Sequence, residues 1–231
     1  MKKFIAIIIS LLIIQIAKAQ LTQVVQLTDI STKDSCFEAV RALVERFGVL
    51  GTEEQRQGNK YLPQKMLTRR SFAIVMANSL DQIQELFAGF AVNATKKAQD
   101  SMAHIFKEER FKGYADTAVK KLKNSAGYTD INKKDKDFVY IKKLTDKYRM
   151  KLGDTGNKFS PDKLMTSADI NTIFRTYFGA KGIVKRPALK PITRGTWSKY
   201  LAQLLETLID DIFMIIDGKE EEEKEKEKLK D

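Results

Sequence analysis

Residues 61–68 read YLPQKMLT and residues 159–166 read FSPDKLMT. Each stretch has an aromatic residue, a gap, a proline, a gap, a lysine, a gap, an apolar residue and a threonine. Moving outward, LTDI at 27–30 returns as YTDI at 128–131, 101 residues later. At the same offset Phe37, Val40, Leu43 and Phe47 are answered by Phe138, Ile141, Leu144 and Tyr148, a spacing that predicts one face of a helix in each copy. The offset falls to 98 for the aromatic-x-Pro stretches, because the loop GTEEQRQGN of the first copy is shorter around GDTGN in the second. Surface loops absorb such a change of length at least cost.

A helix is predicted after each threonine: TRRSFAIVMANSLDQI, TSADINTIFRTYFG and, a third time, TRGTWSKYLAQLLETLIDDIF. Counted from the threonine, position +4 is Phe72, Ile170 or Trp197, and +7 is Val75, Ile173 or Tyr200. Position +8 is Met76, Phe174 or Leu201, and +12 is Leu80, Phe178 or Leu205. One apolar stripe is written three times. Thr68, Thr166 and Thr193 suit the N-cap, and the apolar residue before each of them (Leu67, Met165, Ile192) suits a hydrophobic staple against position +4.

Arg69 and Arg194 directly follow their threonines, where the helix dipole disfavours a cation. Lys65 and Lys190 recur three residues before the same threonines, as Lys163 does before the second. Helix-start amides, arginine and lysine together predict a corner for a carboxylate or similar anion. In the second copy Ser167 replaces the arginine and Asp169 enters the first turn, so that helix caps itself and its corner lacks the cation.

Lys2 and Lys3, the apolar run from Phe4 to Ile16 and the small residues of AKA (17–19) are read as a secretory signal peptide over residues 1–19. Its removal takes three lysines and no acid, so the formal charge of +11 falls to +8. A basic exported chain faces an anionic envelope polymer or membrane surface more readily than nucleic acid, for which no reading motif is present. Cys36 is the single cysteine and His104 the single histidine, which excludes an internal disulfide and starves both a Cys/His catalytic pair and a His- or Cys-ligated metal site. No catalytic residue, metal ligand or cofactor is assigned. GDTGNKFSPDK has the glycine and acid of a calcium loop but lacks the alternating oxygen ligands and the closing glutamate.

The ordered set of LTDI, helix, glycine loop, YLP and LTRRSF, repeated as YTDI, helix, GDTGN, FSP and MTSADI and truncated as GIV with PITRGTW, resembles the S-layer homology family. The tryptophan usual in that family's opening helix falls at Ser35 and Lys136, and the acidic fourth residue of its Thr-Arg motif is Ser71 or Thr196. The resemblance implies a mainly α fold of repeated helix-loop-helix units around a shared helical core. It also implies non-catalytic binding of cell-wall polysaccharide, with Arg69 and Arg194 on an acidic sugar and Thr68 and Thr193 orienting them.

The expected organisation is a signal peptide (1–19), a first repeat (27–83), a helical insert (84–127), a second repeat (128–179), a truncated third repeat (180–217) and a charged tail (218–231). The insert alternates Leu86, Phe87, Phe90, Ile105 and Phe106 with lysines, which suits either core with a solvated basic back or a surface that binds a membrane or protein partner. The expected function is a binding protein of the periplasm, cell surface or wall whose partner is an anionic polysaccharide or peptidoglycan-associated polymer. The alternative is an envelope scaffold whose degenerate repeats are structural and whose insert recruits a protein.

Overall fold

The computed structural model describes residues 23–50, 58–93, 128–148, 150–153 and 157–210, with the backbone alone over 86–93. Among these residues the protein is mainly helical and has no strand. A single 3₁₀ turn, Val24–Gln26, precedes five helices. They are α1 (Phe37–Arg41, continued by one wide turn, Ala42–Arg46), α2 (Arg69–Asn93), α3 (Phe138–Asp146), α4 (Ser167–Phe178) and α5 (194–210). The expected signal peptide, the part of the expected insert beyond Asn93, His104 and the charged tail lie outside the described residues. The boundary expected at 83/84 falls inside α2, which runs unbroken to Asn93.

α1 and α3 are introduced by the same local chemistry. Asp34 Oδ2 accepts from the Ser31 amide at 2.7 Å, and Asp135 Oδ2 accepts from the Asn132 amide at 2.9 Å. The Phe37 amide then donates to Asp34 O, and the Phe138 amide to Asp135 O, both at 2.9 Å. Such aspartate turns offer the backbone a partner before the helix supplies its own. The helices also end alike: the Val49 amide reaches Leu43 O and the Met150 amide reaches Leu144 O, each at 2.8 Å. Val40, Leu43 and Phe47, like Ile141, Leu144 and Tyr148, are buried as their spacing predicts.

α2, α4 and α5 begin at the threonines. The side-chain oxygens of Thr68, Thr166 and Thr193 accept from the amides of Ser71, Asp169 and Thr196 at 3.2, 3.1 and 3.3 Å. At α4 the Asp169 carboxylate returns a bond to the Thr166 amide at 2.9 Å, which completes a capping box. The threefold apolar stripe is buried at every position except Tyr200, which is half-buried. Its centre is aromatic: the Trp197 ring lies 4.9 Å from Phe72 and 6.0 Å from Phe174. Buried residues from all five helices form one apolar cluster.

Immediately before the threonines, three short segments close a ring. The Leu67 amide donates to Ile192 O at 2.9 Å, the Ile192 amide to Met165 O at 3.0 Å, and the Met165 amide to Leu67 O at 2.9 Å. Antiparallel bridges Met66–Thr193, Thr68–Leu164 and Thr166–Pro191 flank these bonds. The ring sets the three helix starts side by side and directs Leu67, Met165 and Ile192 into the core.

Trp197→Ala is expected to lower the unfolding free energy by about 3–5 kcal/mol, measured by urea denaturation. Trp197→Phe should cost far less, because the indole Nε1 has no protein partner to lose. Thr166→Ala should cost about 1 kcal/mol through its cap.

Candidate functional site

Each loop that precedes a helix start is pinned to an aspartate. The Asp29 carboxylate accepts from the amides of Tyr61 at 2.8 Å and Leu62 at 2.7 Å. Asp130 accepts from Phe159 and Ser160, both at 2.7 Å. Leu62 (φ 59°) and Ser160 (φ 53°) occupy the left-handed region directly before Pro63 and Pro161. That conformation is sparsely populated by non-glycine residues, and the aspartate bonds hold it in place. Burial alone would raise the Asp130 carboxyl, but the Phe159 and Ser160 amides outweigh it and hold the group below the usual carboxylate range.

The pinned loops meet the helix starts of other segments rather than their own. Lys65 O accepts from the Arg194 amide and Pro63 O from the Gly195 amide, both at 2.8 Å. Lys163 O and Pro161 O receive the Arg69 and Arg70 amides in the same way, both at 2.8 Å, and Ala188 O receives the Ala168 amide at 3.1 Å. The helix-start amides that the sequence offers to an anion are therefore occupied by carbonyls and by the threonine caps. Buried backbone donors require partners, and the neighbouring loops supply them.

The arginine side chains cross the same junctions. The Arg194 guanidinium, half-buried, lies 4.6 Å from the centre of the Tyr61 ring. The Tyr61 hydroxyl donates to Arg194 O at 3.1 Å and lies 2.5 Å from Ser198 Oγ. Burial pushes the Tyr61 phenol up, against the opposing pull of Arg194. Arg69 is 5 % exposed; its guanidinium donates to Phe159 O and lies 6.0 Å from the Phe159 ring. The third junction lacks both partners at once. Ser167 stands in place of the arginine, and by the spacing from Lys190 and Thr193 Arg186 stands in place of the aromatic residue. Ser167 Oγ instead accepts from the Ala188 amide at 2.9 Å and donates to Ala188 O at 3.2 Å.

Of the six residues singled out by sequence, Thr68 and Thr193 cap their helices and Arg69 is buried between two segments. Arg194 and Lys65 are brought together, Lys65 being exposed. Lys190, also exposed, directly precedes Pro191, which bridges to Thr166 beside the junction of Ser167 and Ala188.

Three charged groupings escaped the sequence reading. Asp137, 3 % exposed in its side chain, pairs with Arg70. The equivalent residues at the other junction are Cys36 and Gly195. A Cβ on Gly195 would lie 3.1 Å from Cys36 Sγ and 3.2 Å from Pro63 O, so a small residue is required there. Between α2 and α3, Asp81 accepts from Lys143 Nζ at 2.5 Å, Lys147 Nζ at 2.8 Å and the Tyr148 hydroxyl at 2.5 Å. An open cavity of about 370 Å³ lies beside them, lined also by Gln84 and Glu85. Arg46 and Glu206, 3.3 Å apart, form the corresponding pair between the wide turn after α1 and α5. Desolvation would raise the Asp81 carboxyl, yet its three donors prevail and its pKa is lowered.

Among the described residues no group of histidine, cysteine and acidic side chains could hold a metal ion. No described helix is long and apolar enough to cross a membrane. Comparison of the chain with protein-family models, curated proteins and solved structures finds no match.

Because the folded pKa of Asp81 lies below its unfolded value, its stabilisation is complete above about pH 5, where the unfolded carboxyl is also ionised. It is lost as pH falls through the folded value. The melting-temperature difference between wild type and Asp81→Asn should therefore shrink steadily as pH is lowered from about 5 to about 2. Arg70→Ala strands the buried Asp137 carboxylate and should cost about 3–5 kcal/mol in urea denaturation. Arg70→Gly combined with Asp137→Cys copies the Gly195 and Cys36 junction and should recover most of that loss.

Proposed function

We propose that the protein is an exported, non-catalytic binding protein of the cell envelope. It is built from two S-layer homology-like units and a truncated third around a shared core, and it holds an acidic cell-wall polysaccharide at the junction of Arg194, Tyr61 and Lys65. The observation that carries this reading is the guanidinium of Arg194 stacked on Tyr61 across two segments, with exposed Lys65 beside it. A guanidinium held over the buried Tyr61 ring has less orientational freedom to lose on meeting a carboxylate. Arg69 has a different part in this reading. Its burial against Phe159 makes it a tie between segments, with the polymer contact left to Arg194. That burial also favours the second reading, an envelope scaffold in which the degenerate units are structural and the insert recruits a protein partner.

Co-sedimentation with purified sacculi, with and without their attached acidic polymers, separates the two. The binding reading expects sedimentation that requires the polymer and that Arg194→Ala weakens roughly tenfold or more. Arg69→Ala should act mainly by lowering the melting temperature. Failure to sediment with either preparation overturns polymer binding and leaves the scaffold.

A further inference from the structure

The ring of three segments has two sides. Alternate side chains of an extended segment point opposite ways, so with Leu67, Met165 and Ile192 buried, the residues before them face outward. Those residues are Met66, 46 % exposed, Leu164, 40 % exposed, and Pro191, also exposed. Leu189, on the third of these loops, is 86 % exposed. Of the five large apolar side chains exposed among the described residues, three thus lie on the loops of this one ring, the others being Val25 and Val139. The bridges Met66–Thr193, Thr68–Leu164 and Thr166–Pro191 hold the outward residues around a single small triangle. Apolar side chains gathered in this way mark an interaction surface more often than scattered ones do.

The charge around the triangle is predominantly positive. Lys65, Lys163 and Lys190 each directly precede an outward apolar residue, and all three are exposed. Asp162 is the single acid within residues 63–68, 161–166 and 188–193, and it lies 3.7 Å from Arg70 Nε. Lysines with long apolar stems around an apolar tip fit a surface that is anionic outside and apolar beneath.

We propose that this end of the molecule docks on the anionic surface of a lipid leaflet. Met66, Leu164 and Leu189 enter the headgroup boundary, and the three lysines meet lipid phosphates. The lysine term weakens with salt, and the apolar term resists it. The surface does not depend on the polymer reading. Lys65 serves both, whereas the apolar residues belong to the lipid surface and Arg194 to the polymer.

The test is flotation of the chain without residues 1–19 on vesicles of phosphatidylethanolamine containing phosphatidylglycerol, against phosphatidylcholine vesicles. The proposal expects binding to the anionic vesicles alone. Lys65→Gln/Lys163→Gln/Lys190→Gln should lower affinity about tenfold or more, and Met66→Ser/Leu164→Ser/Leu189→Ser should do so with an unchanged circular-dichroism melt, since these side chains are exposed. Arg194→Ala should still float while losing the sacculi, which separates this proposal from polymer binding. Equal binding to neutral vesicles, no binding, or full binding by the serine variant overturns the proposal. A concentration-dependent dimer that the serine variant abolishes, without vesicle binding, would assign the surface to a second copy instead.

Discussion

Three backbone amides, those of Leu67, Ile192 and Met165, each donate to the carbonyl of the next around a closed cycle, and the fold depends on that closure. The segments involved are too short to form a sheet, yet their middle residues are buried and their peptide groups need partners. A pair of such segments would leave an unpaired amide and carbonyl at each edge, whereas three leave none in the cycle. The ring also fixes where α2, α4 and α5 start, and so brings Phe72, Phe174 and Trp197 into contact. Burial of the apolar stripes then supplies the driving force that the ring alone lacks.

The junctions around the ring share a backbone plan, with two amide–carbonyl bonds at two of them and one at the third, and they differ in side chain. Two of them set an arginine on the aromatic residue of another segment, and the third has lost both members together. A guanidinium without its ring, or a buried aromatic without its cover, would leave a void or an unsatisfied donor, so joint loss is the less costly change. The same logic separates Arg70 and Asp137 from Gly195 and Cys36. A charged pair fills one junction and two small residues fill the other, and a mixture of the two would bury a lone charge.

For function, the consequence is that similar motifs do unlike work. Arg69 is enclosed and ties α2 to the loop of Phe159, while Arg194 lies half-buried beside exposed Lys65. Under the proposed function a single corner carries the polymer. The exposed apolar and basic triangle on the outer side of the ring is a separate surface with a chemistry of its own.

The sequence by itself determined the helices. The stripe after each threonine, the caps, and the matched pairs Phe37 with Phe138 and Leu43 with Leu144 follow from spacing, because a helix is stabilised by neighbours three and four residues away. It also marked Asp29 and Asp130 by repeating LTDI as YTDI, without showing that they pin Tyr61 and Phe159. The tertiary structure alone decided which loop covers which helix start. It occupied the amides expected to face an anion, placed Lys65 with Arg194, and buried Arg69 while leaving Arg194 half-open. Those pairings join residues far apart in the chain, and they are chosen by the need to close a ring of hydrogen bonds, a condition that no local pattern of residues encodes.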